Sequence, residues 1–154
     1  MGAWTEPTTG DESAIARAVR LAQREHTTED VDWVCSVFLK WVRAEGSAPF
    51  ERCAHLPTTT AQLRLAMRDR ELVKAARQIE ASSSWEGSHL LAEELDTYLT
   101  RGGWLSWRDS DTLPQGASEL RQALHRALRH SEGKPLGAKQ LQRLVGHVWS
   151  AKCP

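Results

Sequence analysis

Six basic side chains in the last third of the chain hold the clearest potential for chemistry. Arg121, Arg126, Arg129, Lys134, Lys139 and Arg143 fall mainly off the apolar positions around them. That is the placement expected of groups that meet phosphates, or an acidic partner, from a helix surface. Solvated charge on amphipathic helices, or docking onto the protein's own acidic stretch 81–119, accounts for the same pattern. Trp104, Trp107 and Arg108 form a second candidate set in a segment with few helical signals. Tryptophan and arginine side by side stack on exposed bases or anchor a protein partner; packing under a loop is the alternative.

Other chemistry is poorly served. His125 and His130 stand five positions apart, which on a helix turns them about 140° away from each other. No cysteine pair has the short spacing of a zinc knuckle, and no metal or other cofactor is expected. Cys35 and Cys53 have His26 and His55 as possible partners, but Cys35 falls on an apolar helical face, where a buried, inert thiol is expected. The carboxylates Glu93, Glu94 and Asp96 read as a solvated helix face. No nucleophile, base and oxyanion donor come together in the sequence, and a non-enzymatic role is expected.

The charges are segregated although they cancel. Residues 1–51 carry a net −4, 52–80 a net +3, 81–119 a net −5 and 120–154 a net +6. The chain therefore has a basic end, to which His125, His130 and His147 would add charge below neutral pH. Fifteen of the 20 basic residues are arginine, a usage that suggests a GC-rich bacterial genome or its mobile elements. Apolar residues at 40% and charged residues at 26% suit a folded globular chain rather than a disordered one. No apolar run approaches the roughly 20 residues that span a bilayer, so no membrane contact is expected. Met1 to Gly10 show no basic stretch followed by an apolar one, so the cytoplasm is the expected compartment. With three cysteines at wide spacing, Cys35, Cys53 and Cys153, reduced thiols are expected.

The elements that must position these groups are helical throughout. Apolar residues recur at i, i+3, i+4 and i+7, and no stretch alternates with period two. A helix is predicted over 11–25, with Asp11 or Ser13 as its cap, and Thr27 restarts the chain into a second helix to about Glu45. Val31, Val34, Cys35, Phe38 and Val42 form its apolar stripe, widened by Leu39 and Trp41. One or two turns follow within 49–56, then a helix over 61–81 whose phase slips at Asp69-Arg70-Glu71, predicting a bend. Ser82-Ser83-Ser84 reads as a linker. Helices over 85–101, 118–130 and 138–151 complete the chain, with 104–116 irregular and open to a short hairpin. The whole is an all-α bundle of about six to seven helices. Its predicted subdomains are 1–81 and 85–154, with a single domain over 11–151 as the alternative.

The stretch from Glu119 to Val145, and within it Glu132-Gly133-Lys134-Pro135-Leu136-Gly137-Ala138-Lys139-Gln140-Leu141, resembles the helix-turn-helix or winged-helix tails of plasmid and phage primase-helicase proteins. The resemblance covers about the last 35 residues and implies DNA contact by two short helices joined by a tight turn. It carries nothing of an ATPase, because the chain has no Gly-Lys-Ser/Thr phosphate loop. The expected function is a nucleic-acid-binding accessory protein of bacterial, plasmid or phage origin. The alternative is a helical interaction subunit, or an inhibitor of a larger nucleoprotein complex in defence or replication. The sequence leaves the oligomeric state open.

Overall fold

A computed structural model describes residues 13–150. All regular secondary structure among them is helical, in agreement with the periodicity of the sequence. None of these helices is long and apolar enough to cross a membrane. The chain divides into two compact units between Leu63 and Arg64.

The first unit holds α1 (Ala14–Gln23), α2 (Thr28–Arg43) and the single turn α3 (Phe50–Cys53). Ser13 caps α1 through its hydroxyl, and Arg24 closes it in the left-handed conformation. The restart predicted at Thr27 is a capping box: Asp30 N–H donates to Thr27 Oγ1 at 3.3 Å, and Thr27 N–H donates to Asp30 Oδ2 at 2.9 Å. Asp30 also ties α2 to α1, because Arg20 Nε donates to Oδ2 at 2.9 Å and Arg20 Nη2 to Oδ1. This forked pair and the Thr27 hydrogen bonds hold the fully buried carboxyl well below the usual carboxylate range. Apolar burial is thin by contrast. Val37 and Ala54 are the fully buried apolar residues of the unit among those described.

The second unit contains most of α4 (Thr60–Arg77), then α5 (Ser84–Thr100), the single turn α6 (Trp104–Trp107), α7 (Glu119–His130), α8 (Ala138–Val145) and the short α9 (His147–Ser150). Helix α5 is the axis, packing most closely on α8 and also against α6, α7 and α9. Its Leu91 and Leu95 meet Leu72 of α4, Leu124 and Leu128 of α7 and Leu141 of α8 in one apolar cluster. Each such side chain contributes about 1.5–3 kcal/mol by leaving water. Trp149 lies across the cluster, its indole N–H donating to Ile79 O at 3.0 Å. It rests on Gly87, where a Cβ would come within 2.3 Å of the indole.

Five features differ from those expected. Residues 64–81 belong with the C-terminal unit and not the N-terminal one, because Leu72, Ala75, Ala76 and Ile79 are part of its core. Ser82–Ser84 is no linker: Ser83 Oγ caps α5 by accepting from Glu86 N–H at 3.1 Å, and Ser82 N–H donates to Glu86 Oε2 at 2.8 Å. The apparent slip at Asp69-Arg70-Glu71 leaves α4 a continuous helix. Its polar side chains there pair with one another, Arg68 with Asp69 and Arg70 with the buried Glu71, so the helix carries them without a bend. The last helix breaks at Gly146 into α8 and α9. The irregular stretch 104–116 carries no hairpin, and its first turn is α6.

Candidate functional site

The turn between α7 and α8 is made by two successive left-handed residues, Glu132 (φ 56°) and Gly133 (φ 75°). Gly133 N–H returns to Leu128 O at 2.8 Å, closing the end of α7. The chain then enters α8, where Gln140 Oε1 accepts from Gly137 N–H at 3.2 Å. The two helices of the expected pair are therefore joined tightly, but α8 takes its main packing from α5.

Five of the six predicted basic residues fall into two groups. Arg126 and Arg129 lie in a cleft of about 350 Å³ together with Arg64, His130, Asp111 and Glu132. Each guanidinium there has an acid nearby. Arg129 Nη1 donates to Asp111 Oδ1, Arg64 Nη1 lies 3.1 Å from Glu132 Oε1, and Arg126 Nη1 lies 3.8 Å from Glu71 Oε2. The lining of the cleft is thus only weakly basic, three guanidiniums against two carboxylates. Burial, above all, lowers the pKa of His130, with Arg129 and Arg64 adding to the shift and Glu71 opposing it. The ring adds no charge to the cleft near neutral pH. Glu71 itself, which sequence reasoning missed, is a buried carboxylate. Lys74 Nζ reaches its Oε1 at 2.9 Å, and its Oε2 has no hydrogen bond.

Lys134, Lys139 and Arg143 form the other group. All three are exposed, and none has an ion pair among the described residues. Lys139 and Arg143 are four apart on α8, opposite the buried Leu141 and Val145, so one helix face presents both charges. Arg121 is exposed one element earlier, its guanidinium 6.0 Å from the centre of the Tyr98 ring. The seventh basic residue of the segment, Lys152, lies outside the described residues.

The tryptophan pair is split. Trp104 is only 9% exposed and belongs to the core, with its ring 6.4 Å from that of Tyr98 and 5.7 Å from that of His125. It offers no face to a base, and the expectation that it does is corrected. Gly103, with φ 84°, starts the turn that directs it inward. Trp107, at 38%, and the exposed Arg108 remain at the surface, with Arg108 Nε 3.6 Å from Asp109. His125 is buried too. Its Nε2–H donates to Ser110 O at 2.8 Å and its Nδ1 accepts from the Tyr98 hydroxyl at 3.0 Å, pinning the irregular stretch onto α7. It is a structural bridge rather than a surface charge.

Helix α2 holds a feature opposite to expectation. Its apolar stripe was to be core, with Cys35 an inert buried thiol. Cys35 is exposed, as are Val31, Phe38 at 48%, Leu39 and Val42 at 62%. The covered side is instead rotated toward Asp30 and Val37, where α1 and α3 pack. Trp41, Phe38 and Phe50 meet at its edge, with ring centres 5.0–6.4 Å apart.

Compared with known protein families, curated proteins and solved structures, the chain matches none.

Proposed function

We propose that this protein binds nucleic acid through the phosphate backbone, using the cations of the α7–α8 turn and α8. The observation that carries this reading is that Lys134, Lys139 and Arg143 stand exposed within ten residues and, among the described residues, without an acidic partner. Unpaired cations release counterions from a polyanion at no cost in broken ion pairs. Arg64 and Arg129 reinforce the same end of the unit. Their partners Glu132 and Asp111 are largely solvent-exposed, and ion pairs of that kind are worth at most about 1 kcal/mol, so a phosphate can displace them.

The test is anisotropy of a labelled random duplex and of a single strand, titrated with the protein at several salt concentrations. Replacing Lys134, Lys139 and Arg143 by glutamine should weaken binding evenly across sequences and flatten the logarithmic salt slope on duplex DNA by about 2–3. Absence of binding at low salt, or an unaltered slope in the triple variant, overturns the reading.

A second reading, a helical interaction subunit, has its support in the other unit, where α2 leaves its apolar stripe uncovered. A partner held there is lost with substitutions in α2 and kept with substitutions in α8.

A further inference from the structure

The uncovered side of α2 has a definite shape. At 100° per residue, Phe38, Val31, Val42, Cys35 and Leu39 fall within an arc roughly 100° wide, the width of a stripe that packs one helix on another. The buried Asp30 and Val37 lie beyond one edge of the arc. Asp32 and Arg43 lie together beyond the other. Both are exposed, and neither has an ion pair among the described residues.

Their heights along the helix decide what can cover the arc. The apolar run extends from Val31 to Val42, so its midpoint falls between Ser36 and Val37. With a rise of about 1.5 Å per residue, Asp32 stands about 7 Å to one side of that midpoint and Arg43 about 10 Å to the other. A two-fold axis through the midpoint turns one copy of α2 antiparallel to the other. It brings Asp32 of each level with Arg43 of its mate to within about 3 Å along the axis, on the same flank of the seam. A parallel copy would instead put Asp32 and Arg43 of the two chains on opposite flanks of the seam, where no such pair forms.

From this charge antisymmetry we infer that α2 is a self-association surface: two copies of the chain pair antiparallel through Val31, Cys35, Phe38, Leu39 and Val42, flanked by two Asp32–Arg43 ion pairs. The inference does not depend on nucleic-acid binding. It rests on the α2 surface of the second reading and names its partner as a second copy. A single helical face sits at the small end of specific interfaces, so the dimer forms at micromolar concentrations rather than obligately. Cys35 lies close to the axis and faces its own counterpart.

Sedimentation velocity over micromolar to submillimolar concentrations should show a reversible monomer–dimer equilibrium. Val42→Glu, at the most exposed apolar position of the arc, should abolish the dimer while leaving helix content and melting temperature unchanged. Asp32→Arg should weaken the dimer about fivefold, because two symmetry-related contacts become like-charged, and adding Arg43→Asp should restore it. With Cys53 and Cys153 replaced by serine, a short bis-maleimide should link Cys35 to Cys35 at dimer-forming concentrations and not in the Val42→Glu variant. A monomer at every concentration overturns the inference. So does a dimer that ignores Val42→Glu, or one that the double charge reversal weakens further. If the chain is monomeric yet loses a foreign partner on Val42→Glu, the self-association is wrong and the interaction-subunit reading stands.

Discussion

Single residues carry the sharpest consequences in the core of the second unit. Gly87 sits in the first turn of α5, where glycine costs up to about 1 kcal/mol relative to alanine, so Gly87→Ala should on propensity alone stabilise the helix. The indole of Trp149 lies where the new methyl would go, and overpacking of that kind costs about 1–3 kcal/mol. Gly87→Ala should therefore lower the melting temperature by several degrees; a rise would show that Trp149 moves freely. Trp104 and Trp107 separate just as clearly. Trp104→Ala should cost about 3–5 kcal/mol in chemical denaturation, whereas Trp107→Ala should stay within about 1 kcal/mol. Asp30 gives the first unit a pH dependence of known sign. Its folded pKa is depressed, so its contribution is complete above the unfolded value of about 3.9 and is lost as pH falls below it. The stability advantage of the wild type over Asp30→Asn, followed by urea unfolding, should shrink as pH drops below about 4.

At the scale of elements, α2 and α8 show how one kind of periodicity leads to different ends. Both helices are amphipathic, and the buried face of α8 meets α5 over its length. Helix α2 carries apolar side chains around more than half its circumference, too wide a stripe for α1 and α3 to cover. The excess is what the charge reversal of Asp32 and Arg43 tests. On α8 the question is one of counter-charge. Arg126 and Arg129 stand near acids from α4 and from the stretch before α7, so substituting them also breaks ion pairs. Lys134, Lys139 and Arg143 avoid that confusion, which is why the salt-slope experiment uses them.

For the molecule as a whole, much was legible in the amino-acid order. The all-helical class follows from 3.6-residue periodicity, and the caps at Ser13 and Thr27 from short polar side chains placed just before apolar periods. These are local properties, fixed by neighbours within one or two helical turns. The division between units was not local. Ser82–Ser84 has the composition of a linker, yet it is a cap, and α4 joins the second unit because its aliphatic face completes the cluster around α5. Which tryptophan is buried, which arginine has an acid beside it, and which side of α2 remains bare depend on residues tens of positions away. The pairs Tyr98–His125, Arg64–Glu132 and Trp149–Ile79 are 27, 68 and 70 residues apart in sequence. Periodicity states how wide an apolar face is; only packing decides how much of that face finds a partner within the chain.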